Sequence, residues 1–201
     1  MANDVVINAG VTLTVEPGIT LMGTSATEIR TLGHLQAVGT SGDPVLFTSA
    51  DESGPDQWSG LVFNGGTGNL DYATVRYGGS YSSLSKNANV ALRNVASGEV
   101  RIANSHVLTT NGHGLYMDND SQATVEDTLF SGIGNGTSDR AIYVIGSGSV
   151  LAVTNSTFRN NAGYGLYVAD GSASVTNATF EGYGRDGFYA DAGVATITDS
   201  S

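Results

Sequence analysis

Residues 163–180 read "GYGLYVADGSASVTNATF". A close copy runs over 186–201, "DGFYADAGVATITDSS", and a looser one over 140–158, "RAIYVIGSGSVLAVTNSTF". Aligned on the apolar residue before Asn or Asp, Ile102, Val125, Val153, Val175 and Ile197 fall in one column. Two residues on stand Asn104, Asp127, Asn155, Asn177 and Asp199, and five residues on stand Val107, Phe130, Phe158 and Phe180. A further column holds Tyr116, Tyr143, Tyr167 and Tyr189. Self-similarity on this scale is the mark of a solenoid.

Within a unit the pattern is that of strands. "ASVTNATF" alternates apolar Ala173 and Val175 with polar Ser174 and Thr176. "GLYV" places Leu166 and Val168 inward and Tyr167 outward. Gly, Asn and Asp, which tolerate left-handed backbone, separate the strands. Three short strands and three bends in roughly 22–28 residues make one coil. The fold class expected is therefore all-β, a right-handed parallel β-helix solenoid. About nine rungs at about 4.8 Å give a rod roughly 40 Å long. Phe158 and Phe180 are expected inside, with similar costs on truncation to Ala. The Asn/Asp column is expected to form a side-chain ladder, with metal binding as the alternative.

The first hundred residues fit the same coil with longer loops. "VTLTVEPGITL" turns at Pro17-Gly18, and "LDYATV" matches the 102–107 unit with Tyr72 in the Asn position. The insertion "ADESGPDQ" (50–57) is a polar surface loop. The organisation expected is one array over 1–201, with irregular rungs over 1–97 and regular ones over 98–201. The last unit stops at "TITDSS" without the Phe of its predecessors. It is read as an uncapped C-terminus that invites end-to-end self-association.

The chain carries 19 Asp plus Glu against 8 Lys plus Arg, a formal charge of -11. Such a balance disfavours nucleic acid, which needs a basic face. The 28 Gly and 3 Pro suit tight turns, and with no Cys there are neither disulfides nor thiolate metal sites. No apolar run is long enough to span a membrane.

"LTVEPGITL", "GHLQAVGTSGDPVLFTSADES", "WSGLVF" and the repeated "NNAGYGLYV"-like units resemble the right-handed parallel β-helix repeat proteins of bacterial and archaeal surfaces, within the pectate-lyase-like superfamily. The resemblance covers essentially the whole chain. It implies the fold and an extracellular or cell-surface location. The superfamily holds polysaccharide lyases and hydrolases beside adhesin-like proteins without known chemistry, so fold does not choose among them.

A hydrolase needs two carboxylates within reach of one sugar. Asp118 and Asp191 share a column but stand three rungs apart, roughly 14 Å. Asp170 and Asp191 are on adjacent rungs but out of phase. Gly-His-Gly at 112–114 has no accompanying Asp pair. A lyase-like site would draw on Arg140, Arg159 or Arg185 with calcium held by "DNDS" (118–121), and that constellation is incomplete. Neither a catalytic residue nor a cofactor is expected.

The outer surface offers the tyrosine column instead. Tyr116, Tyr143, Tyr167 and Tyr189 would form a file, flanked by His113, Arg140, Tyr164 and Asp186. Gly114, Ala141, Gly165 and Gly187, two residues before each tyrosine, would leave a shallow groove beside it. The aromatic wall suits a neutral polysaccharide or cell-surface glycan, and a stack that only stiffens the sheet is the alternative. Binding residues expected are Tyr116, Tyr143, Tyr167, Tyr189, His113, Arg140 and Asp186. Outward Thr154, Thr176 and Thr198 hint at ice binding, but Glu126 and Ala103 break the pattern below.

Overall fold

A computed structural model describes residues 1–80, 82–96 and 98–201. The chain winds through three parallel sheets. The first has eight strands, from Val5–Ile7 to Phe188–Ala190; the second has eight, from Thr12–Val15 to Val194–Thr198; the third has seven, from Thr20–Gly23 to Thr179–Tyr183. Consecutive strands of a sheet come from consecutive coils, so the rod has about eight turns, where the sequence suggested nine. Leu70, Ile102, Val125, Val153, Val175 and Ile197 stack in register in the second sheet, as the repeat predicts. Two early coils exceed the expected 22–28 residues. Ala37 pairs with Leu70, 33 residues on, and Leu70 with Ile102, 32 on. Loops inserted around 50–59 and 77–87 fall in these coils.

Strands of the second sheet bury alternate residues, as in Gln122–Glu126 and Val150–Thr154, and strands of the first bury longer runs, as in Ala88–Arg93; no single coil can cover them. The core is made by stacking: Ile29, Leu61, Val90, Leu115, Ile142 and Leu166 from the first sheet meet Leu70 to Val175 from the second. From the third sheet come Phe130, Phe158 and Phe180, in register. Phe158 stacks on Phe130 with centroids 5.2 Å apart and on Phe180 at 4.8 Å, the planes tilted by 13° and 7°. Phe130 and Phe158 are fully buried, whereas Phe180, in the last strand of the third sheet, is half-buried.

The Asn/Asp column owes its composition to backbone more than to a ladder. Tyr72, Asn104, Asp127, Asn155, Asn177 and Asp199 all hold φ between 46° and 52°. That left-handed bend turns the chain from the second sheet into the third, and Asn and Asp tolerate it best after Gly. An amide-to-amide bond joins Asn177 Nδ2 to Asn155 Oδ1 at 2.8 Å, but Asn104 donates to Asp71 instead. Just behind lies a column not anticipated above: Ser105, Thr128 and Ser156, all buried, and the half-buried Ser200 at the last coil. Ser105 Oγ accepts the Ala73 N–H at 3.0 Å, Ser156 Oγ that of Thr128 at 3.2 Å, and Ser200 Oγ that of Ala178 at 3.0 Å. Ser156 and Ser200 also donate to a carbonyl two residues back. A corner would otherwise strand these buried N–H groups.

Candidate functional site

The register carries one outward column up the first sheet: Val62, Ala91, Tyr116, Tyr143, Tyr167, Tyr189. Its lower part is covered. Leu84, from the loop 82–87, packs with Val62, Ala88 and Ala91, and Tyr116 sits at the border of this small cluster. From Tyr116 upward the tyrosines are half-exposed, and Tyr189 is exposed.

The rings contact one another in sequence. Centroids lie 5.6 Å apart for Tyr116–Tyr143, 5.4 Å for Tyr143–Tyr167 and 5.1 Å for Tyr167–Tyr189. The first two pairs are edge-to-face and the third is stacked. Such pairs add about 0.5–1.5 kcal/mol each beyond area burial.

A second column runs beside the first. Arg140 pairs in register with Tyr164, and the Arg140 N–H donates to His113 Nδ1 at 3.3 Å. His113 stacks near Tyr116 at 6.0 Å and meets Tyr143 edge-on at 5.4 Å. The Arg140 guanidinium lies 4.3 Å from the Tyr143 centroid and 4.8 Å from that of Tyr167. Tyr164 is buried against Tyr167 and Tyr189. Arg185 covers the Tyr164 ring at 4.7 Å, a partner the sequence reading did not place there. Six of the seven expected binding residues thus form one aromatic and cationic patch. Asp186 is at the same face and exposed, tied in through its carbonyl, which accepts the Gly165 N–H at 3.1 Å.

The glycine file is not on the outside. A Cβ at Gly114 would stand 3.0 Å from Phe130 Cδ1, and one at Gly165 would stand 2.8 Å from Phe180 Cδ1. Ala141 is fully buried in the core. These positions lie at the corner where the chain enters the first sheet, and they face inward to make room for the phenylalanine stack. No groove runs beside the tyrosines on their account.

The electrostatics follow the packing. Burial, then the nearby Arg140 charge, depresses the His113 pKa to about 4, so the ring is neutral near pH 7. With Nδ1 accepting from Arg140, the proton sits on Nε2. Burial, then the Asp118 charge, pushes the Tyr116 hydroxyl up to about 12, and that hydroxyl donates to Asp118 Oδ2 at 3.2 Å. Tyr167 is raised by burial and by Asp191.

The carboxylates weighed as catalysts have other partners. Asp118 accepts from Arg93 Nε through both oxygens at 3.0 Å. Asp170 caps its own turn at the Gly171 N–H, and Asp191 faces the Tyr167 hydroxyl at 3.4 Å. Among the described residues no group of three or more His, Asp or Glu could hold a metal ion.

The model of the right-handed β-helix region matches residues 62–180 and 140–201, and that of the pectate-lyase-like β-helix domain matches residues 1–90. The chain belongs to the right-handed β-helix family. No curated protein and no solved structure matches it. Membership fixes the hand of the coil and leaves its function to be argued from the surface.

Proposed function

We propose that this chain is a non-catalytic module of an extracellular or cell-surface protein, a rigid stalk or adhesin-like rod that binds a neutral glycan along the tyrosine file. The observation that carries the reading is the unbroken run of rings from Tyr116 to Tyr189, with centroids 5.1–5.6 Å apart, half-exposed from Tyr116 to Tyr167 and exposed at Tyr189. That repeat is close to the length of a saccharide unit, and sugars present apolar C–H faces to aromatic rings. Arg140 lies among the rings and supplies N–H donors for hydroxyl groups. With a net charge of -11 the rod repels polyanions, which favours neutral chains over uronic acids. Each contact is weak, and affinity comes from summing rungs. End-to-end association of the rod would lengthen the binding surface.

The test is calorimetry against neutral polysaccharides, comparing the parent with Tyr143→Ala/Tyr167→Ala. Loss of binding in the double variant, without released reducing or unsaturated ends from the parent, is the expected result. Binding that survives the substitutions, or binding to no glycan, overturns the reading. Released ends would make the chain a polysaccharide lyase or hydrolase instead.

A further inference from the structure

His113 has two neighbourhoods. One side of its ring meets Tyr116 and Tyr143; the other borders a polar cleft of about 460 Å³. The cleft lies where chain leaving the third sheet enters the first. Asp56, Asn87, Asn111, Asn135 and Asp139 line it with His113. They come from four separate segments, and Asp56 is delivered by the insertion loop that the sequence marks only as polar.

The walls are held in place. Asn111 Nδ2 donates to Asp56 Oδ2 at 2.7 Å. Asp139 Oδ2 accepts the N–H groups of Asn135 and Gly136 at 3.0 and 2.9 Å, which shapes the loop before Arg140. The His113 N–H donates to the Asn87 carbonyl at 2.7 Å. The lining therefore offers two carboxylate acceptors, three side-chain amides that both donate and accept, and the Nε2–H of a neutral imidazole. Among the described residues no cationic side chain lines the cleft.

This inventory has a chemical preference. Alternating acceptors and amide donors match the paired hydroxyls of a sugar, each of which donates and accepts. Two carboxylates without a cation repel an anionic ligand. A metal ion would want a denser set of acidic ligands than the described residues supply. His113 lines the cleft and also contacts Tyr116 and Tyr143, so the cleft lies beside the lower end of the aromatic file.

We propose that this cleft binds one neutral sugar residue of the glycan, an inference that rests on the reading of the tyrosine file. The file then sets how much chain is held, and the cleft selects the kind of sugar residue held beside it.

The His113 imidazole resonances, followed by NMR, report on the cleft directly. Titration with methyl glycosides of neutral hexoses should shift them, and the methyl glycoside of a uronic acid should not. Asn111→Ala and Asn135→Ala should each weaken this binding about tenfold, the worth of one to two hydrogen bonds. Asn135→Ala keeps the backbone contacts to Asp139, so it tests the site if Asn111→Ala disturbs the fold. Tyr167→Ala/Tyr189→Ala, two and three rungs removed from His113, should spare monosaccharide binding and remove the gain from longer chains. Shifts with calcium alone, or with the uronate in preference, overturn the proposal. So does a silent His113 under an oligosaccharide that the parent binds and the tyrosine variant does not; there the file stands and the cleft falls. Monosaccharide binding with no gain from chain length supports the cleft and overturns the file.

Discussion

Arg140 covers one face of Tyr143, its guanidinium carbon 4.3 Å from the ring centre. The same group reaches Tyr167 at 4.8 Å, so one cation joins two rungs of the file. Arg140→Ala should lower stability by about 1 kcal/mol and loosen both rings, read in denaturant melts and in the near-ultraviolet circular dichroism of tyrosine. Arg140→Lys should recover only part of that signal, because an ammonium lacks the planar stacking surface. An unchanged aromatic spectrum in Arg140→Ala would remove Arg140 from the patch.

Phe158 and Phe180 should not respond alike, despite their equivalent places in the repeat. Phe158 is enclosed between two stacked rings, and Phe158→Ala should cost about 3–5 kcal/mol. Phe180 is half-buried in the last strand of the third sheet, and Phe180→Ala should cost roughly half as much. Tyr167→Ala, on the outer face, should cost less than Phe158→Ala. Urea unfolding of the three variants orders them, and a costlier Tyr167→Ala would reverse the assigned faces.

Tyr72 occupies a bend where its column otherwise carries Asn or Asp, with φ at 47°. A tyrosine pays for its Cβ there, about 1–2 kcal/mol of backbone strain. Tyr72→Asn should therefore stabilise the rod by about 0.5–1 kcal/mol, and Asn155→Val should destabilise it by at least as much. Thermal melts of the two variants should move in opposite directions.

The His113 pKa falls from 6.5 to about 4 on folding. Below pH 6.5 the unfolded chain takes up a proton that the folded chain refuses. Stability from this group is thus complete above about pH 6.5 and is lost as pH drops toward 4, by about 3 kcal/mol at most. The difference between parent and His113→Gln in urea melts should shrink over that interval. A difference independent of pH would mean that His113 titrates normally.

The repeat made most of the coil legible. Ile102, Val125, Val153, Val175 and Ile197 align by inspection, because one inward residue per coil must recur wherever the core is built by stacking. The tyrosine column followed from the same register. What misled was simple alternation at strand entrances: Gly114 and Leu115 both face inward, since the corner precedes the flat part of the strand. The polar cleft was not legible at all. Asp56 and Asn111 touch across 55 residues, and nothing in the spacing of a regular repeat foretells where an irregular loop folds back.

The corner hydroxyls at Ser105, Ser156 and Ser200 bear on how such a rod comes to be long. Each accepts the N–H of the coil beneath, and beside the first two the Asn104 and Asn155 N–H groups donate to the Glu126 and Thr176 carbonyls of the coil above. Every coil built this way has matching upper and lower surfaces. A gene that duplicates one whole unit adds a coil that already fits its neighbours on both sides, with no compensating change elsewhere. The near-identical 22-residue steps from Val153 to Val175 and from Val175 to Ile197 have the form that such copying leaves. Growth by duplication extends the outer face along with the core. A tyrosine gained in one unit is then inherited by its copies, so a surface file can lengthen at the same rate as the protein that displays it.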